Sequence, residues 1–168
     1  EWEVAAIKLL IELCRETGCA VHVVHLSASD ALPVIAAAKA EGLPLTVETC
    51  PHYLCLSAEE IQDRQSLFKC APPIREAANR DKLWAGLLDG IIDFIASDHS
   101  PCIPHLKRLD TGNFQDARGG ISSLQLGLPV IWTAAKSRGV SMEKLVLWLC
   151  TRPAQLAGIS HRKGKLEV

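Results

Sequence analysis

The chain has 168 residues, of which 48% are hydrophobic and 22% charged, and its formal net charge is −1 at pH 7. This length and balance predict one globular domain with a sizeable core and exclude a disordered chain. No run approaches the roughly 18 apolar residues of a membrane span, and the single basic cluster, at residues 161–165, is typical of a solvated terminus rather than of a nucleic-acid site.

Helices and strands are predicted to alternate along the chain. In order they are a helix at 2–16 ending at Gly18, a strand at 20–26, a helix capped by Ser29 or Asp30 and closed by Gly42, a strand at 45–49, a capping box at Ser57 and Glu60, a helix at 77–88 and a strand at 91–96. A polar, irregular stretch at 97–120 is long enough to suspect a function. Helices at 121–137, kinked by Pro129, and at 141–150 complete the pattern, with a last helical turn from Thr151.

Apolar strands that alternate with amphipathic helices imply parallel βαβ units with both sheet faces covered. The first helix is expected to pack through one apolar face, formed by Trp2, Ala6, Leu9, Leu10 and Leu13. Trp132 and Trp148, at helical spacing, are expected to pack in the core or at an interface.

Three strands are too few for a closed barrel of about 250 residues. We therefore predict an α/β fold that is part of a (β/α)8 TIM barrel, with its last three strands and following helices at 1–158 and the start of a C-terminal β segment at 159–168. The chain begins without Met inside a helical pattern and stops inside a predicted strand, so we expect a piece of a longer protein.

Seven cysteines are present without a CxxC pair, which argues against a structural zinc knuckle and favours a reduced intracellular protein. Most of them lie in apolar segments, where a free cysteine packs as a small hydrophobic side chain. Cys102, in the polar stretch, has no identified neighbouring base and is expected to be passive.

Polar side chains gather where the three predicted strands end, which is where functional groups collect in parallel α/β folds. The segments are HVVHLS at 22–27, ETCPHY at 48–53 and SDHSP at 97–101. His22 and His25 are three positions apart, so strand alternation predicts that His25 faces the site and that His22 packs outward. An imidazole and the carboxylate of Asp98, converging from different strands, are ligands that a zinc-like ion prefers.

Five motifs resemble, in this order, the allantoinase-type cyclic amidohydrolases: VHVVHLS, ETCPHYL, KCAPPIR, IASDHSPC and GGISSLQLGLP. The resemblance covers residues 2–166. It implies a metal-dependent (β/α)8 barrel hydrolase with two divalent ions, zinc in most members, bridged by a carboxylated lysine that this chain lacks. It further implies the conversion of allantoin, a small cyclic ureide, to allantoate in purine breakdown, by a cytoplasmic or peroxisomal homotetramer without nucleic-acid or membrane partners.

The resemblance also assigns roles to individual residues. It implies that His25 binds the more exposed ion and that Asp98 binds the other ion and acts as general base and then general acid. The remaining ligands of the family, a His-x-His pair, the lysine and a further histidine, have no counterpart here, so we expect the chain alone to be inactive.

Weaker assignments surround these two residues. In relatives, backbone groups at the positions of Ala71, Gly119 and Gly120 hold the substrate ring, although plain turns explain the glycines equally well. His52 and His99 are expected to orient a ligand or line the pocket. For His52, a hydrogen-bonded histidine that fixes the Pro51 turn is an equal alternative.

Three other interpretations stay open at this point. A sister enzyme of the hydantoinase, dihydropyrimidinase or dihydroorotase type differs only in substrate-loop details, although the Ser-Pro-Cys after His99 favours the allantoinase type. A non-catalytic dihydropyrimidinase-related scaffold would be expected to lose metal ligands, whereas His25 and Asp98 are intact. An incomplete gene product with no function of its own, prone to aggregate through unpaired strand edges, is the third.

Overall fold

A three-stranded parallel sheet lies at the centre of the computed structural model, which describes residues 1–166. Strands β1 (Val21–Val23), β2 (Leu45–Thr49) and β3 (Phe94–Ile95) pair in the order β1–β2–β3, with Val23 opposite Val47 and Thr49 opposite Ile95. The predicted α/β fold with a parallel sheet is therefore confirmed. Strands β1 and β3 are shorter than predicted.

Helices precede, connect and follow the strands within the described part of the chain. They are α1 (Trp2–Thr17), α2 (Leu32–Ala40), α3 (Pro51–Cys55), α4 (Ala77–Leu88), α5 (Gly127–Lys136), α6 (Met142–Val146) and α7 (Arg152–Leu156). Short 3₁₀ turns occupy Ser29–Ala31, Ala58–Glu60 and Ser66–Phe68, and a π-helical turn, Leu147–Thr151, joins α6 to α7. The predicted capping box is present, since the Glu60 carboxylate accepts the Ser57 backbone N–H at 2.9 Å.

Helix α1 packs through a different face from the predicted one. Its buried residues are Ile7, Ile11 and Cys14. The residues of the predicted face, Trp2, Ala6, Leu9, Leu10 and Leu13, are exposed. The prediction was wrong because α1 carries apolar side chains on two sides, and periodicity alone does not say which side meets β1 and α2. The predicted end of the helix is confirmed, since Gly18 adopts the left-handed conformation with φ 69°.

Two further local predictions were wrong. Neither Ser29 nor Asp30 caps a helix with its side chain; the Ser29 backbone N–H instead donates to Asn79 Oδ1 at 2.8 Å. Residues 121–126 are not helical, so Pro129 lies in the first turn of α5, where a missing N–H costs nothing, and does not kink a longer helix.

The two faces of the sheet differ in chemistry. Val23, Val47 and Ile95 lie in a buried core with side chains of α1, α2 and α4. The opposite face carries His22, whose Nδ1 lies 2.8 Å from Thr46 Oγ1 and whose Nε2 lies 3.1 Å from Glu48 Oε2. The prediction that His22 packs outward, towards the helices, is therefore wrong. Strand alternation stops at Val23, so the parity argument does not extend to His25.

Residues 159–166 form turns, and the hydroxyl of Thr151 donates to the Gly164 carbonyl at 2.7 Å. Glu167 and Val168, which complete the predicted C-terminal β segment, lie outside the described residues. The predicted division at residue 158 therefore stays a prediction. Among the residues that the structure describes, no helix is both long and apolar enough to cross a membrane.

Trp148 lies at the centre of the packing between the C-terminal helices and the sheet. Its side chain is 1% exposed, and its ring meets the Trp84 ring edge-on with centroids 6.4 Å apart. Trp132 and Trp148 were expected to pack in the core or at an interface: Trp148 is a core residue, and Trp132 packs partly buried against the same core.

Replacing Trp148 with alanine is expected to lower the free energy of unfolding by about 3–5 kcal/mol, since a large buried ring leaves a cavity. Met142→Ala, an exposed position on α6, serves as the matched control and is expected to cost less than about 1 kcal/mol. Urea denaturation measures both variants. Similar losses in the two would contradict the core position of Trp148.

Candidate metal centre

His25, two residues after β1, and Asp98, three residues after β3, share an unusual backbone conformation. Their φ angles are 42° and 43°, and among the described residues other than glycine only Arg64 and Arg108 also have positive φ. This conformation costs on the order of 1–3 kcal/mol per residue and is found mostly at functional sites. Two of the four strained positions therefore coincide with the two predicted metal ligands.

The neighbouring backbone holds both residues in place. Directly after His25, the Leu26 N–H donates to the Glu48 carbonyl at 2.8 Å, which returns the chain to the sheet. Before Asp98, the Ala96 N–H donates to the Thr49 carbonyl at 3.0 Å. The side chains project from a fixed frame, half-buried for His25 and exposed for Asp98.

Cys50 and His52 lie next to Asp98 at the same edge of the sheet. One ligand atom of each of the three side chains lies within 4.8 Å of the other two. Cys50 and His52 are buried, whereas the Asp98 side chain reaches solvent. A thiol directly after β2, an imidazole on α3 and a carboxylate after β3 converge here, so a divalent cation fits the chemistry of this edge.

His52 is a buried imidazole held by packing. Its side chain is 4% exposed, and its ring meets the Tyr53 ring edge-on with centroids 4.2 Å apart. Neither ring nitrogen has a hydrogen-bond partner within residues 1–166. The alternative that His52 fixes the Pro51 turn through a hydrogen bond is therefore wrong. Burial, together with the nearby His25, lowers the pKa of His52 to about 4, so the ring is neutral at pH 7 with a lone pair available.

The structure brings His52 and Asp98 together with Cys50, and the metal-binding role of His25 stays a prediction. Cys50 was missed by the sequence reading. Its position directly after the last residue of β2, within ETCPHYL, is the signal that could have identified it. Burial and the carboxylates of Asp98 and Glu48 raise the pKa of the Cys50 thiol well above its usual range.

The backbone segments predicted to hold a substrate lie side by side. The Gly120 N–H donates to the Lys69 carbonyl at 3.0 Å, and a Cβ built on Gly119 would lie 3.6 Å from the Ala71 nitrogen. Lys107, a buried cation that the sequence reading also missed, donates to the carbonyls of Leu67 at 3.1 Å and Lys69 at 2.7 Å. These bonds fasten the 98–120 segment to residues 67–71.

His99 interacts with backbone on the far side of the 98–120 segment. Its Nδ1 accepts the N–H groups of Ser123 and Leu124, both at 3.1 Å, and its own backbone bridges to Ile121. His99 therefore orients the loop that follows Gly120. A contribution of His99 to the metal centre itself stays a prediction.

Gly120 is expected to tolerate no side chain, whereas its neighbour Gly119 tolerates one. Gly120 has φ 136°, and a Cβ there would lie 2.4 Å from the Ser100 carbonyl oxygen, whereas the nearest atoms to a Cβ on Gly119 are 3.6 Å away. Gly120→Ala should therefore lower the free energy of unfolding by about 2 kcal/mol or more, and Gly119→Ala should change it by no more than about 0.5 kcal/mol. Thermal denaturation followed by circular dichroism measures both, and equal effects would contradict the described turn.

Comparison with known proteins shows relatives that match nearly the whole chain. Residues 5–168 match the Amidohydrolase family. The chain is 55% identical to the allantoinase of Streptomyces avermitilis, over 98% of this chain and 36% of that protein. It is 50% identical to the allantoinase of Arabidopsis thaliana, over 99% of this chain and 34% of that protein.

Solved structures show the same fold. The L-hydantoinase (dihydropyrimidinase) of Arthrobacter aurescens superimposes with a TM-score of 0.91 at 33% identity, over 98% of this chain and 37% of that one. The dihydropyrimidinase of Brevibacillus agri superimposes with a TM-score of 0.85 at 31% identity, over 94% of this chain and 35% of that one. The chain spans about a third of the length of the relatives that it matches.

Proposed function

The chain belongs to the amidohydrolase family, and we propose that it forms one part of a metal-dependent hydrolase that opens the ring of allantoin to give allantoate. The observation that carries the proposal is the left-handed backbone at both His25 and Asp98, which follow β1 and β3, the two outer strands of the parallel sheet. The similarity to proteins named allantoinase favours allantoin over other cyclic amides. The sheet is part of a (β/α)8 barrel whose other strands lie outside this chain.

Two divalent cations, zinc in our proposal, would bind at this edge. The donors present fit them, since imidazole and carboxylate are common zinc ligands and both residues stand on a strained, fixed backbone. His25 would hold the more exposed cation and Asp98 the other, with a carboxylated lysine and three histidines from outside this chain. When bound, the cations would lower the pKa of a water molecule and polarise the amide carbonyl.

Asp98 moves the proton that ring opening requires. Its exposed carboxylate accepts a proton from the attacking water and then donates it to the ring nitrogen as the carbon–nitrogen bond breaks. This step solves the main chemical difficulty of a cyclic amide, since the nitrogen leaves poorly unless it is protonated.

The backbone around Ala71 and Gly120 holds the substrate. The N–H and C=O groups of a ureide pair well with peptide groups, and the absence of a side chain at Gly119 and Gly120 permits a close approach. The hydrogen bonds from Lys107 to the carbonyls of Leu67 and Lys69 hold the 98–120 segment against residues 67–71. A homotetramer, and a cytoplasmic or peroxisomal location, remain part of the proposal.

The test uses the full-length hydrolase, by which we mean this chain together with the upstream part of its open reading frame. Hydrolysis of allantoin, hydantoin and dihydroorotate is compared with added zinc. We expect turnover of allantoin to exceed that of the other two rings. Preferential turnover of hydantoin or dihydroorotate would make the protein a sister enzyme. A folded, metal-loaded protein that opens none of the rings would instead support the scaffold interpretation.

A further inference from the structure

Cys50 and His52 have no part in the proposed reaction, yet they lie beside its proton carrier. We propose that Cys50, His52 and Asp98 form a separate site for one thiophilic divalent cation, such as Cd²⁺, and that this cation competes for the Asp98 carboxylate. The binding site stands on the geometry of the three side chains alone. The competition rests on the function proposed for Asp98.

The spacing of the three donors fits a single ion after a small adjustment. Around a tetrahedral ion of zinc size, sulfur, nitrogen and oxygen ligands lie about 3.3 to 3.7 Å from one another, given metal–ligand distances of about 2.0 to 2.3 Å. The three ligand atoms lie within 4.8 Å of one another without an ion. Asp98 is exposed, so its side chain can rotate to close the remaining gap while the buried Cys50 and His52 stay in place.

His52 supplies the second, independent indication of a ligand. A buried polar group without a hydrogen bond costs about 1–3 kcal/mol, and both ring nitrogens of His52 are in that state within the described residues. A neutral imidazole offers a lone pair on one ring nitrogen to a cation. Coordination would satisfy that nitrogen, for which residues 1–166 supply no hydrogen-bond partner.

The charges around Cys50 favour a cation in contact with the thiol. The Asp98 carboxylate lies within 4.8 Å of the Cys50 sulfur, and burial together with the carboxylates of Asp98 and Glu48 raises the pKa of the thiol. The same negative field attracts a divalent cation, which displaces the thiol proton to solvent and binds the resulting thiolate. Soft cations gain most from a sulfur ligand, so the site discriminates in favour of thiophilic ions over Mg²⁺ or Ca²⁺.

The experiment is a Cd²⁺ titration of the full-length hydrolase, followed by the thiolate-to-metal charge-transfer band in the ultraviolet. The ligands that the proposed function assigns to the zinc pair include no sulfur, so this band reports a thiolate site alone. The exposed thiols are removed first by Cys19→Ser and Cys150→Ser, so that they do not contribute. We expect a saturable band with one equivalent of Cd²⁺ in this background.

Three variants in the same background decide whether the band comes from the proposed site. Cys50→Ser should abolish it, His52→Gln should weaken Cd²⁺ binding at least about tenfold, and Cys70→Ser, a neighbouring buried thiol, should leave it unchanged. A band that survives Cys50→Ser, or that never appears, overturns the proposal. Allantoin turnover without Cd²⁺ is measured in parallel, so failure of this site is distinguishable from failure of the proposed function.

Discussion

Asp98→Asn is expected to reduce allantoin turnover by the full-length hydrolase at least about a thousandfold, because general acid–base catalysis alone contributes about 10²- to 10⁴-fold and the variant also weakens a metal ligand. Asparagine keeps the size of the side chain and tolerates the left-handed backbone that Asp98 adopts, with φ 43°. The loss therefore reports the missing carboxylate and not a misfolded strand end. Steady-state kinetics at saturating zinc measure it.

Asp110→Asn is the matched control for this variant. Asp110 is an exposed aspartate in the same 98–120 segment, and the proposed reaction gives it no role. We expect its kcat and KM to equal those of the unmodified enzyme. An Asp98→Asn enzyme that keeps more than about a tenth of the original turnover would exclude Asp98 as the proton carrier.

His25→Asn is expected to remove one of two bound metal ions and to lower turnover at least about a hundredfold. Substitution of a residue that only orients a metal ligand already costs about 10- to 100-fold, and His25 would be a ligand itself. Asparagine is again chosen because it accepts the positive φ of 42° while removing the imidazole. Metal analysis after dialysis measures the zinc content per chain, and circular dichroism checks that the fold is intact.

His22→Asn, three positions earlier in the sequence, is the matched control. His22 forms hydrogen bonds with Thr46 and Glu48 on the sheet face opposite the Val23–Val47 core. Its substitution should therefore lower the stability of the fold without removing a metal ligand. We expect two zinc ions per chain in this variant. If His25→Asn keeps both ions, or if both variants lose one, His25 is not the ligand that we propose.

The sequence predicted the elements whose ends are marked by strong local signals. Strand β2 and helix α4 have the predicted bounds, since Gly42 and Pro44 precede the strand, Pro51 follows it and Gly90 follows the helix. The capping box at Ser57 and the closing glycine at Gly18 were also predicted from chemistry that acts within a few residues. The relationship to the amidohydrolases, inferred from five motifs, is confirmed.

The errors arose where tertiary contacts decide the outcome. The buried face of α1 depends on which side meets β1 and α2, and the helix offers apolar residues on both sides. The orientation of His22 was inferred by alternation from His25, but alternation ends with β1 at Val23. A strand pattern carries no information about a backbone that turns left-handed one or two residues later.

The candidate site was predicted only in part for a related reason. Asp98 and His52 lie in polar segments that follow strands, and this position after a strand identified them as candidates. Cys50 received no functional assignment from the sequence, because a buried free cysteine usually packs as a small apolar side chain. Lys107 lies in an irregular segment, where only the folded chain shows that its ammonium group meets the carbonyls of Leu67 and Lys69.

A crystal structure of the full-length hydrolase would show whether His25 and Asp98 are ligands of a zinc pair. Crystals are grown with two equivalents of Zn²⁺, and anomalous differences are recorded at the zinc absorption edge. Our account predicts two peaks, one beside the His25 imidazole and the other beside the Asp98 carboxylate. Peaks that lie away from both side chains, in a protein that opens the allantoin ring, would contradict it.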